Sequence, residues 1–131
     1  MNHEQLMERA RAARSHSYCP YSNYAVGAAL LCADGTVYEG CNVENSSYTP
    51  TVCAERVAFF KAIYDGKRDF TAIAVCGGEK GQPTKTCTPC GVCRQVMSEF
   101  CGPDFAVIMS TGPDTFMVKT FKDLLPYSFE L

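Results

Sequence analysis

Two cysteine-bearing segments constrain this chain more than any other feature. They read Thr49-Pro50-Thr51-Val52-Cys53-Ala54-Glu55-Arg56 and Thr88-Pro89-Cys90-Gly91-Val92-Cys93-Arg94-Gln95. Each leads into a helix-compatible run, and the Thr-Pro pair in each predicts an N-cap followed by a first helical residue. Cysteines therefore stand in the first turns of two helices, with Cys90 and Cys93 on one helix face. A helix start carries free N–H groups and partial positive charge, and both lower a thiol's pKa. Zinc binds thiolate, so a fold that aims two helix starts at one point suits a cysteine zinc site.

Cys53, Cys90 and Cys93 give three ligands and leave one position open, the arrangement of a catalytic zinc. A closed site that adds Cys87, which forms a CxxC pair with Cys90, is the alternative and makes the protein a structural zinc module. Cys87 precedes the Thr-Pro helix start and is expected to lie outside it. Three thiolates around Zn²⁺ leave net negative charge, so a cation is needed nearby. Arg56 is expected to donate to the ligand sulfurs, whereas Arg94 has either that role or a solvent-facing one. Glu55, two residues beyond Cys53, is placed to exchange protons with water and with a leaving nitrogen.

The rest of the chain supplies a scaffold. Leu6, Met7, Ala10 and Ala13 recur at helical spacing between Asn2 and Ser15. Strands are expected over Tyr24–Cys32 and Thr36–Tyr38 around Asp34-Gly35, then over Phe70–Cys76, Phe105–Met109 and Phe116–Lys119. Helices are expected over Val52–Tyr64, Gly91–Phe100 and Phe121–Leu125, with loops at Asn42–Tyr48 and Gly77–Thr86. The order α-β-β-α-β-α-β-β-α predicts one α/β domain over residues 1–131: a three-layer α/β/α sandwich on a five-stranded mixed sheet.

Nine cysteines cannot all pair within one chain, and with no leader-like apolar stretch near Met1 they point to thiols in a cytoplasmic protein. Cys19, Cys32, Cys41, Cys76 and Cys101 read as small buried hydrophobes. The net charge of −2 and the lack of a Lys/Arg run argue against a nucleic-acid partner, and no stretch is long and apolar enough for a membrane span.

Cys53-Ala54-Glu55 followed by Pro89-Cys90-Gly91-Val92-Cys93 matches the zinc deaminase signature. With Pro20-Tyr21-Ser22, Val26-Gly27-Ala28-Ala29-Leu30, Gly40-Cys41-Asn42-Val43-Glu44-Asn45-Ser46-Ser47-Tyr48 and Leu124-Leu125-Pro126, the chain resembles the small cytidine deaminases along almost its whole length. The resemblance implies one Zn²⁺ per subunit and a pyrimidine nucleoside substrate, hydrolysed at C4 with loss of ammonia. It implies a homotetramer with shared active sites. It assigns Asn42 and Glu44 to the ribose hydroxyls, Ala54 backbone to the amide edge of the base and the Thr88 carbonyl to the 4-amino group. It gives Ser46 and Tyr48 a part in shaping the pocket and reaching a neighbouring subunit, and makes Phe129 the aromatic that a neighbour contributes. Tyr24 stands where the family usually stacks a Phe on the base, so its hydroxyl needs a partner. The Gly78–Thr86 stretch looks longer than usual. Deamination of a cytosine-containing antibiotic or of a base in a polynucleotide is the rival within enzymes.

Overall fold

A computed structural model describes all of residues 1–131. The chain runs α1 (His3–Ala13), β1 (Tyr24–Cys32), β2 (Val37–Cys41), α2 (Ala54–Tyr64), β3 (Phe70–Glu79), α3 (Gly91–Phe100), β4 (Ala106–Ser110), β5 (Phe116–Thr120) and α4 (Phe121–Leu124), with a 3₁₀ turn at Arg14–His16 after α1. The five strands form one sheet in the order β2-β1-β3-β4-β5. Only β3 and β4 pair in parallel; the other neighbours are antiparallel. The element order and the mixed five-stranded sheet are those expected from the sequence.

Alternation along the strands sorts the core into two layers. Ala28, Leu30, Ile73, Val75, Val107 and Met109 face α2 and α3, packing with Ala58, Phe59, Ala62 and Met97. Ala29, Ala72, Ala74, Cys76 and Ile108 face the other way, onto Leu6, Met7 and Ala10 of α1. The sheet is thus covered on both sides. Both β2 and β3 run antiparallel to β1, so β2-α2-β3 and β3-α3-β4 are crossovers that move across the sheet in one direction. Crossovers of one hand then put α2 and α3 on the same face. Their N-termini lie at the same end of the sheet, beyond the ends of β2 and β3. The antiparallel β1 starts there too, since Tyr24 is in register with Glu79. The topology thereby gathers Tyr24, the loop after β2 and both helix starts at one edge, the usual place for a ligand in an α/β sheet.

The helix starts differ from the Thr-Pro expectation. Neither Thr49 nor Thr88 caps a helix. The N-caps are Cys53 (φ −76°, ψ 157°) and Cys90 (φ −69°, ψ 168°), and neither makes a side-chain cap bond. Val52 is held extended by an antiparallel bridge to Val43, which delays the first turn of α2 until Ala54. At α3, Pro89 biases Thr88 away from helical geometry, and the Cys87 N–H donates to Ser110 O. The cap carbonyls still accept the first helical bonds, from Val57 N at 3.2 Å and Arg94 N at 3.0 Å. α1 starts on a capping box between Asn2 and Gln5. β2 and β3 each extend three residues beyond the expected end, to Cys41 and Glu79.

No helix is long and apolar enough to cross a membrane. The approach of α1 to the sheet depends on Gly27, because a Cβ there would lie 2.0 Å from Ala10 O and 2.6 Å from Arg14 N. Both are backbone atoms and cannot swing aside. Gly27→Val is expected to destabilise the protein by about 3 kcal/mol or more in urea unfolding, whereas Gly102→Ala, which meets nothing within 4 Å, should change it by less than about 0.5 kcal/mol. Equal midpoints for the two variants would refute this account of the α1 contact.

Candidate active site

Cys53 and Cys90, as N-caps, sit at the ends of the α2 and α3 axes, and Cys93 stands three residues on, in the first turn of α3. Their sulfurs converge. Cys53 Sγ and Cys90 Sγ are 3.6 Å apart, as are Cys90 Sγ and Cys93 Sγ, and all three lie within 4.8 Å of one another. A tetrahedral zinc with Zn–S bonds of about 2.3 Å sets its sulfurs about 3.8 Å apart, so the donor set fits that ion in both chemistry and spacing. Cys87 is not in the cluster. Its thiol is buried instead over Gly77, where an added Cβ would meet Cys87 Sγ at 2.7 Å and the Tyr24 ring at 3.0 Å.

Without a metal the cluster is electrostatically awkward. The neighbouring Cys93 sulfur, opposed by desolvation but aided by Arg56, lowers the Cys53 thiol to about 5. Cys93 is pushed strongly the other way, by the Cys53 sulfur first and then by burial beside Glu55 and the other sulfurs. One thiolate forms easily and the next does not, which is the situation a bound cation resolves. Arg56 Nη2 lies 3.5 Å from Cys53 Sγ, as expected for a cation that draws charge from the sulfurs. Arg94 does neither of the things considered for it. Its Nε donates to Pro89 O (2.9 Å) and its Nη1 to Leu124 O (2.7 Å), tying the start of α3 to α4.

Glu55, the second residue of α2, is 3 % exposed. Burial pushes its carboxyl up to about 7, its own backbone amide pulls the other way, and the charge of Cys53 raises it further. A carboxyl that holds or releases a proton near neutrality suits two-way proton transfer.

A cleft of about 480 Å³ opens beside these groups, lined among others by Ser22, Tyr24, Asn42, Glu44, Cys53, Glu55, Cys87, Thr88 and Cys90. Glu44 is held rigidly. Its carboxylate accepts from Tyr21 N (2.9 Å), Ser22 N (3.0 Å) and the Ser22 hydroxyl. Desolvation opposes ionisation, but these bonds hold the carboxyl below its ordinary value. Asn42 Oδ1 accepts from Ser17 Oγ (2.7 Å) and Val26 N (2.9 Å), and its Nδ2 donates to Tyr24 O (2.8 Å). One amide hydrogen remains for a ligand. The Tyr24 phenol is pushed up to about 12, by burial first and then by the nearby Cys87 thiol. Lys85 Nζ stands 5.4 Å from the centre of the Tyr24 ring.

The other expected residues are placed differently. Ala54 is fully buried at the first turn of α2 and does not line the cleft. Tyr48 and Phe129 are 73 % and 68 % exposed, and neither they nor Ser46 line the cleft of their own chain. Cys19, Cys32 and Cys76 are buried as expected, whereas Cys41 and Cys101 are only partly so. Sequence reasoning gave no role to Ser22, whose side chain fastens Glu44. The signal was a hydroxyl in the turn just before Tyr24, but its partner lies 22 residues away.

Comparison with known proteins agrees with this geometry. A family model described as the cytidine and deoxycytidylate deaminase zinc-binding region matches residues 1–109, which include all three clustered cysteines and Glu55. A cytidine deaminase from Sporosarcina psychrophila is 46 % identical over 129 residues, covering 98 % of this chain and 92 % of the relative. One from Halalkalibacterium halodurans is 45 % identical over 129 residues, covering 98 % and 95 %. The crystal structure of a cytidine deaminase from Burkholderia pseudomallei superposes with a TM-score of 0.90 at 46 % identity, covering 98 % of this chain and 100 % of that one. With sequence and backbone in agreement across nearly the entire length, this chain belongs to the cytidine deaminase family.

Proposed function

We propose that this protein is a zinc-dependent cytidine deaminase of pyrimidine salvage, converting cytidine and deoxycytidine with water to uridine and deoxyuridine and ammonia. The observation that carries the reading is a buried Glu55 carboxyl set beside a three-sulfur cluster, in a cleft that the immobilised Glu44 also lines. Cys53, Cys90 and Cys93 hold the zinc. When bound, that ion supplies Lewis acidity that makes water nucleophilic at neutral pH. Glu55 takes a proton from the attacking water and passes it to N3 of the base as oxygen adds to C4. It then takes the proton of the new C4 hydroxyl and delivers it to the departing amine; the C4=O double bond forms as the C4–N bond breaks to release ammonia. Arg56 draws charge from the sulfurs.

Asn42 and Glu44 bind the ribose hydroxyls, the Ala54 backbone and the Thr88 carbonyl fix the edges of the base, and Tyr24 stacks on it. The Tyr24 ring lines the cleft, which supports this role. A ribose-binding pair favours nucleosides over an antibiotic or polynucleotide substrate.

The reading extends to a homotetramer with shared active sites. Ser46, Tyr48 and Phe129 then complete a neighbour's pocket, which accounts for their exposure here. The outer face of α2 supports this. Val57, Phe60 and Tyr64 form an apolar surface with Tyr38 and Val52, and such a face is ordinarily covered. The unpaired cysteines favour the cytoplasm. Both helical layers pack on one sheet, which supports a single domain over residues 1–131.

Three outcomes are expected. Glu55→Gln should keep one zinc per chain by elemental analysis while losing at least about 10³-fold in ammonia release from cytidine. Ordinary turnover would exclude the proposed proton transfer. Cys87→Ala should likewise keep one zinc, whereas Cys53→Ala should lose it; loss of zinc from Cys87→Ala would restore the four-cysteine site. In light scattering the native protein should have four times the mass of the chain, and Phe60→Glu combined with Tyr64→Glu should lower that mass. A native monomer with full activity would end the shared-site reading.

A further inference from the structure

We propose that the hollow between the last turns of α1 and the turn after β3 binds a phosphate group, either free or as a phosphomonoester. The hollow, about 370 Å³, lies on the α1 side of the sheet, behind the strand that carries Tyr24 and away from the cleft. Its volume falls within the range of small-molecule sites, about 300–1,000 Å³. Arg11, Arg14 and Lys80 line it, with Ser15, Ser17 and Gly81, and no acidic residue does. Three cations around one concavity are conspicuous in a chain of net charge −2.

The fold accounts for only one of these cations. Arg14 donates to Ala25 O (2.9 Å), Gln82 O (2.8 Å) and Glu79 O (2.7 Å), so its guanidinium fastens the turn to β1. Arg11 has no such use. Its Nε and Nη2 are shielded from solvent and have no hydrogen-bond partner. Its one ionic neighbour is Glu4, 3.8 Å from Nη1 and half exposed. Those two nitrogens are sealed from the hollow, so Arg11 meets an oxyanion there through Nη1 and through the positive charge of its guanidinium.

The remaining donors are arranged to help. Lys80 makes no ion pair, and its backbone N–H, bonded to Asn23 O (2.8 Å), fixes the turn over the hollow. The Gly81 N–H bonds no backbone carbonyl. Arg14 keeps one free hydrogen on each terminal nitrogen. The two serines donate elsewhere, Ser15 to Ala12 O and Ser17 to Asn42 Oδ1, so Arg11 and Lys80 should carry recognition. A compact tetrahedral dianion matches this set better than a single carboxylate, because several donors converge from different directions.

The test is calorimetric titration of the zinc-loaded protein at constant ionic strength with inorganic phosphate and, separately, with ribose 5-phosphate. Saturable binding of one ligand per chain is expected, weakened about tenfold or more by Arg11→Gln and by Lys80→Gln. Cytidine turnover should be unchanged in both variants, which shows that they are folded and separates this site from the catalytic one. Tighter binding of ribose 5-phosphate identifies a phosphomonoester as the ligand, and equal binding identifies free phosphate. If Arg11→Gln does not fold, Lys80→Gln carries the test alone. No saturable binding by the native protein, or undiminished binding by the folded variants, overturns the proposal.

Discussion

Everything at the active edge depends on bringing three cysteine sulfurs within 4.8 Å of one another. Three neighbouring thiolates repel, so the fold must supply positive charge before any metal arrives. It does so from fixed sources: two helix starts, entered by cysteines in the cap positions themselves, and the Arg56 guanidinium. Giving the cap position to cysteine has a local cost, since neither helix gains the side-chain cap bond that Ser, Thr or Asp would make. That cost is offset elsewhere. The Val43–Val52 bridge fixes the approach to α2, and Arg94 clamps Pro89 O at the approach to α3.

The sheet turns this local chemistry into a pocket. Because β1 runs against both β2 and β3, its first residue arrives where the two helices begin. Tyr24, the immobilised Glu44 and the sulfur cluster then meet where the connections over residues 42–53 and 80–90 enter the two helices. Their supports are mostly backbone: Glu44 is held by the amides of Tyr21 and Ser22, and Asn42 by groups at Tyr24 and Val26, with one serine hydroxyl added to each, from Ser22 and Ser17. The cleft is therefore preorganised by the same strand pairing that builds the core.

The sequence made the cluster and the acid legible because they are defined by local spacing. Cys53-x-Glu55 and Cys90-x-x-Cys93 are short, and helix starts leave strong marks. The hidden parts depend on partners distant in sequence. Thr-Pro looked like a cap because the Val43–Val52 bridge, nine residues apart, cannot be read from either segment. Arg94 looked like a choice between solvent and sulfur because Leu124 O, its true partner, lies 30 residues away. The proximity of Cys87 to the Tyr24 ring was not foreseen, because the two meet only over Gly77 of β3. The hollow at Arg11 and Lys80 joins two segments that carry no shared motif.

Asn42 has a consequence for how this pocket can diverge. Its amide splints β1, so a replacement there moves Tyr24 and Val26 as well as altering what faces a sugar. Glu44 is bound only to the Tyr21–Ser22 turn, and its surroundings can be rebuilt without disturbing the sheet. Variation in ligand selectivity among descendants of this chain should therefore accumulate around Glu44 and its turn, while position 42 stays frozen by its architectural duty, whatever its ligand.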